Sequence, residues 1–155
     1  MYKMILVPLD GSELSEMVLP HVEMLAQATK KPAEVVLLRV AMSPSPAFSG
    51  YQDLSGQGPV LAEKAAAADK EEAEKYLAEV GKRLRDKGLR VRVELLVGSP
   101  GDEILDYAEN NPVDLIAMAS HGRSGISRWA YGSVTSKVLR GISTPILVVT
   151  PPRKK

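Results

Sequence analysis

The residues able to do chemistry gather in one stretch, Met118-Ala119-Ser120-His121-Gly122-Arg123-Ser124-Gly125, with Gly132-Ser133 following closely. Gly122 and Gly125 can take positive φ and turn backbone N–H groups toward an anion. Gly132-Ser133 opens a helical pattern over residues 134–140, whose unpaired N–H groups and dipole favour phosphate. The Ser133 hydroxyl can bond such a ligand or simply cap the helix. Arg123, Arg128 and Lys137 can offset phosphate charge, or can lie as solvated surface charge. His121 reads as an acid–base group or as a turn histidine bonded to backbone; no Asp–His–nucleophile spacing accompanies it. Ordinary turn glycines and a helix cap are the plain alternative for the whole stretch. The order of elements favours phosphate: an apolar run over residues 113–119, a glycine loop, then a helix.

A second group lies at the other end of the chain. Residues 4–8 form a continuous apolar run that ends in Leu9-Asp10-Gly11-Ser12. Asp10 can accept from a ribose hydroxyl or help hold a divalent ion; it can equally close an Asx-type turn. Val40 ends a second apolar run and offers a wall for a flat ring, or plain core. The absence of cysteine removes disulfides and thiolate chemistry together. His21 lies on an expected helix with no metal-type partner, so the pattern gives no histidine-built metal site. No Gly-Lys-Ser/Thr phosphate loop and no G-x-S-x-G elbow is present.

A net charge of +1 gives no global electrostatic case for nucleic acid or an anionic membrane. No apolar run is long enough to span a bilayer, and the N-terminus lacks a signal-peptide pattern. The expectation is a soluble cytoplasmic protein, with one domain over residues 1–150 and a basic tail at 151–155.

The elements that must position these groups alternate along the chain. Strands are expected over residues 4–8, 34–40, 89–97, 113–118 and 146–149, from continuous apolar or alternating patterns. Ser12 reads as an N-cap, and the following helix places Leu14, Val18, Val22 and Leu25 on one side. Pro20 inside it predicts a kink or a broken turn. Residues 42–60, rich in Pro and Gly, read as a long loop, either a lid or a surface insertion. A charged helix over 61–85 carries one apolar seam: Ala73, Leu77, Val80 and Leu84. Gly98-Ser99-Pro100 starts a short helix that Asn110-Asn111-Pro112 ends. Strand–helix alternation throughout implies an α/β fold, a single doubly wound five-stranded parallel sheet with helices on both faces. Such sheets bind ligands beyond the carboxyl ends of the strands, where the strand order reverses.

These residues resemble the universal stress protein family along essentially the whole chain. The similarity is carried by Ile5-Leu6-Val7-Pro8-Leu9-Asp10-Gly11-Ser12, Leu37-Leu38-Arg39-Val40, Gly98-Ser99-Pro100 and the block from Met118 to Val149. The nucleotide-binding branch of that family carries Gly-x-x-Gly, nine residues, then Gly-Ser or Gly-Thr. Here Gly122, the nine residues 123–131 and Gly132-Ser133 match, whereas Ala119 replaces the first glycine. The resemblance implies a Rossmann-like frame of the adenine nucleotide alpha hydrolase type, with strand order 3-2-1-4-5. It implies ATP, or AMP or ADP, as ligand, with Mg as an accompanying ion. Adenine is then expected near Asp10, Val40 and Met118, with Pro8 and Leu9 also in the nucleotide site. Ribose is expected by Ala119 and Gly122, and phosphates by Gly122, Gly132, Ser133 and Val134, with His121, Arg123 and Gly125 in the same loop. The resemblance further implies a homodimer through the last strand, Ile146–Val149, with an unidentified protein partner and little intrinsic catalysis. Two other functions remain open on the residues: a slow Mg-dependent ATPase or phosphotransferase using Asp10 and Arg123, and a nucleotide-independent interaction module, for which Ala119 speaks.

Overall fold

The computed structural model describes residues 1–28, 30–44, 56–120 and 132–152. Five parallel strands form one sheet: β1 (Met4–Pro8), β2 (Glu34–Ala41), β3 (Arg90–Val97), β4 (Leu115–Ala119) and β5 (Ile146–Val149), in the order β3-β2-β1-β4-β5. The expected strand order and the reversal beside β1 are both present. Five helices complete the described fold: α1 (Glu13–Glu16), α2 (Leu19–Gln27), α3 (Gly58–Asp86), α4 (Pro100–Asn110) and α5 (Ser133–Gly141).

Strand periodicity divides the core in two. Ile5, Val7, Val35, Leu37, Leu115 and Ala117 point to one face, where Val22 of α2 and Leu77, Val80 and Leu84 of α3 cover them. Leu6, Val36, Leu38, Ile116 and Met118 point to the other, under Ile104 and Ala108 of α4 and Val138 of α5. β1 is therefore apolar on both faces, which explains its continuous rather than alternating sequence. β3 lies at an edge and keeps mixed exposure. The four seam residues read from the α3 sequence are all buried.

Pro20 breaks the first helix. Lacking an N–H, it cannot donate to the carbonyl four residues back, so α1 ends at Glu16 and α2 restarts with Pro20 in its first turn. α3 begins at Gly58, three residues before the expected start at Leu61, because Pro59 is preorganised for a first helical turn. The loop expected over 42–60 is shortened accordingly; its residues 45–55 lie outside the described residues. Asn110 and Asn111 donate side-chain N–H groups to the Asp106 and Tyr107 carbonyls at 2.8 Å each, closing the end of α4.

One carboxylate fixes the reversal of strand order. Asp114, just before β4, accepts from the backbone N–H groups of Lys3 and Met4 at 2.7 and 2.8 Å. Its own N–H donates to the Met4 carbonyl. The β1–β4 ladder then registers only Ile5 with Leu115 and Leu6 with Ile116. Leu9 donates its N–H toward β2, at Leu38, so strand alternation turns the Pro8 nitrogen toward β4. That nitrogen has no hydrogen to give, and the ladder stops. The two strands part at their carboxyl ends.

Leu37 is fully buried at the centre of the larger cluster. Leu37→Ala is expected to lower unfolding free energy by about 2–5 kcal/mol, whereas Leu139→Ala on the exposed side of α5 changes it by less than about 0.5 kcal/mol. Urea denaturation of the two variants measures the difference.

Candidate functional site

Where β1 and β4 separate, the structure holds a cavity of 320 Å³, a volume suited to a small organic ligand. Its floor is Pro8, Leu9 and Asp10 from the end of β1, with Met118 and Ala119 from the end of β4. Leu38 and Val40 of β2 form one side. The start of α5 forms another, through Gly132, Ser133, Val134 and Thr135. Pro8, Leu9, Asp10, Val40, Met118, Ala119, Gly132, Ser133 and Val134, all candidates from the sequence, thus line this cavity, whereas Lys137 does not. His121, Gly122, Arg123 and Gly125 lie outside the described residues, as does Arg128.

The turn after β1 is built by its own side chains. Asp10 Oδ1 accepts from the Ser12 N–H at 2.9 Å and from the Ser12 hydroxyl at 2.5 Å. This is an Asx-type turn, and it leads directly into a helix start. Ser12 Oγ accepts from the Ser15 N–H at 3.1 Å, which makes Ser12 the N-cap of α1, as its position in the sequence indicates. The Ser15 hydroxyl returns a bond to the Ser12 carbonyl at 2.8 Å and also reaches the cavity wall. Gly11 sits between them at φ +88°, a conformation that L side chains resist.

The start of α5 is the opposite case. Its N-cap is Gly132, which has no side chain to offer the first turn, and Ser133 is the first helical residue rather than the cap. The first turn of this nine-residue helix thus lines the cavity with no side-chain cap from its N-cap residue. Such a terminus attracts negative charge. α4 also begins at this cavity, with Pro100 and Ile104 on the wall. Asp102 in its first turn pairs with Lys137 Nζ at 2.5 Å. That ammonium, followed by the Ser99 hydroxyl, holds the Asp102 carboxyl below the usual carboxylate range. Lys137, one of the candidate phosphate cations, is engaged between α4 and α5 instead.

Several residues at this site carry no ligand-binding signal in the sequence. Ser15, Leu38, Pro100, Ile104 and Thr135 line the cavity. Their strand parity or first-turn position could have marked them. Arg39 could not be found in that way. It lies on the face of the sheet opposite Val40 and packs against Gly11, where an added methyl would overlap its guanidinium. It stacks 5.5 Å from the Tyr76 ring centroid and lies 3.9 Å from Asp69. Burial, then the Glu16 charge, pushes the Tyr76 pKa up to about 12. Among the described residues no group of His, Asp and Glu side chains is placed to hold a metal ion.

The model of the universal stress protein family matches residues 1–150. This chain belongs to the universal stress protein family. Universal stress protein MJ0577 of Methanocaldococcus jannaschii is 36% identical, over 96% of this chain and 95% of its own length. The solved structure of MJ0577 superposes with a TM-score of 0.79 over 99% of both chains. Universal stress protein UspA of Lactobacillus plantarum is 25% identical with a TM-score of 0.74, over 96% of this chain and 97% of that one. A universal stress protein crystallised in complex with cAMP has the same fold, at 21% identity and a TM-score of 0.67, over 96% and 97% of the two chains. The parallel sheet, its strand order and its two helical layers are thus those of universal stress proteins.

Gly11→Ala tests the turn of this family member. Positive φ costs a non-glycine residue about 1–2 kcal/mol, and here Arg39 must also move. The expected loss of stability, read by urea denaturation, is at least about 1 kcal/mol.

Proposed function

We propose that this protein binds an adenine nucleotide, ATP or its products AMP and ADP, in the cavity between β1 and β4, and that it acts as a stress-response or signalling protein with little catalysis of its own. The observation that carries the reading is the start of α5, with glycine as its N-cap, facing a largely apolar cavity at the reversal of strand order. An apolar slot suits a base, and an open helix N-terminus suits phosphate. Pro8, Leu9, Val40 and Met118 would flank the base, with Asp10 and Ala119 beside the sugar. Gly132, Ser133 and Val134 would meet the phosphates through backbone N–H groups and the Ser133 hydroxyl. His121, Gly122, Arg123 and Gly125 belong to the same proposal by sequence alone. Mg would travel with the nucleotide phosphates. The cAMP complex of a universal stress protein indicates that this fold accommodates an adenine nucleotide. The proposed compartment is the cytoplasm; among the described residues no helix is long and apolar enough to cross a membrane.

Ala119 favours a second reading, an interaction module that works without nucleotide. Ala119 lines the cavity, where the family's nucleotide-binding pattern has glycine. Calorimetry with ATP and AMP decides between the two. Millimolar affinity or better is expected for the natural sequence, and Gly132→Asp, which places a carboxylate at the α5 start, is expected to weaken it at least tenfold, about 1.4 kcal/mol. No binding of either nucleotide at millimolar concentration favours the module.

The proposal includes a homodimer through β5, for which the two sheet edges differ. Gly98 directs its N–H to Ala41 of β2, so alternation turns the Val91 carbonyl to the free edge of β3. Arg85 covers that carbonyl with two bonds, at 3.1 Å from Nε and 2.9 Å from Nη2. β5 is a wholly apolar, half-exposed strand. The Pro145 and Val149 carbonyls accept from β4, so Val148 directs its N–H outward. Val148→Pro removes that donor and leaves the β4 ladder in place. Sedimentation is expected to show a dimer for the natural sequence and a monomer for this variant; equal mass for both would refute pairing through β5.

A further inference from the structure

We propose that Arg39 is a positioning residue for this site, bracing the Asp10-Gly11-Ser12 turn from the opposite face of the sheet and tying it to α3. The inference rests on the nucleotide reading for its functional consequence, and on geometry alone for the brace itself. Val40 and Arg39 are neighbours on β2, so strand alternation sends Val40 to the cavity and Arg39 to the α3 side. The Arg39 side chain is 12% exposed. Burying a guanidinium that deeply is costly unless its surroundings return the loss. Its ion pair with Asp69, at 3.9 Å, is too long for a hydrogen bond. The guanidinium also lies over the Tyr76 ring, 5.5 Å from its centroid, and against Gly11.

Among the described residues, titratable groups approach Arg39 from three elements. α3 contributes Asp69 and Tyr76, and the turn contributes Asp10. α1 contributes Glu16, which is occupied by Arg83 at 2.5 Å. Arg39 thus lies between the turn and Asp69. Asp69 also binds the exit of β2, where its Oδ2 accepts from the Met42 N–H at 2.9 Å. One guanidinium and one carboxylate therefore join three features: the turn that carries Asp10, the end of the strand that carries Val40, and α3. The absence of a side chain at Gly11 is what lets the guanidinium reach the turn. Lysine has no plane to stack, so charge alone does not replace Arg39.

The experiment compares Arg39→Met and Arg39→Lys with the natural sequence, without nucleotide. Amide hydrogen exchange is read at Ser12 and Ser15, whose N–H groups close the turn and the cap. Exchange at both is expected to rise about tenfold in Arg39→Met and about threefold in Arg39→Lys, while the central strand amide of Val36 is unchanged. ATP affinity is then expected to fall in the same order. Unchanged exchange at Ser12 and Ser15 in Arg39→Lys overturns the inference, as does a rise matched at Val36, which marks a general loss of stability. Should Arg39→Met not fold, Arg39→Lys decides by itself. If the turn loosens as expected but the natural sequence binds no ATP, the brace stands and the nucleotide reading fails.

Discussion

The structure depends on the placement of β1. This strand is covered on both faces, hydrogen-bonded to β2 on one side and, for two residues, to β4 on the other. Asp114 fastens the start of β4 to the start of β1 with two charge-assisted backbone bonds. Pro8 prevents the same pairing at the far end. Tight at one end and released at the other, the two strands diverge into the cavity. The site is thus the consequence of one carboxylate and one missing N–H group, placed at opposite ends of a strand that has no solvent face.

The two helical layers serve this strand differently. α3 lays a continuous apolar seam over β2 and β3, and its C-terminal half carries the buried contacts. Burial of that seam outweighs the ion pairs on its outer side, Lys75–Glu71 and Lys82–Asp86, which are largely exposed and screened by water. α4 and α5 are shorter, and both start at the cavity. They bring their N-terminal ends to it because crossovers between parallel strands begin at the strands' carboxyl ends. Lys137 and Asp102 hold the two helices together near that end, so a cation that could have faced a ligand serves packing instead.

Much of the fold was legible because its signals are local. The continuous apolar run of β1 announced a strand buried on both sides, and Pro20 announced a broken helix. Ser12 announced the cap that it makes. The errors were at element boundaries: α3 starts before its apolar seam, since Pro59 and Gly58 form a first turn that periodicity does not register. At the site, residues at strand ends and at the α5 start were readable from the reversal rule. Ser15, Leu38, Ile104 and Thr135 were not singled out, because each also has an ordinary local reading as cap partner, core residue or helix residue.

The sequence by itself determined the elements, their order and the likeness to universal stress proteins, since hydrophobic period, turn residues and motif spacing act within a few residues of one another. Tertiary structure alone decided that Asp114 would pin β1, that Lys137 would pair with Asp102, and that Arg39 would lie under Gly11. Those contacts join residues far apart in the chain. Their partners are chosen by which strands become neighbours and by which face each side chain takes, and no single stretch of sequence encodes that.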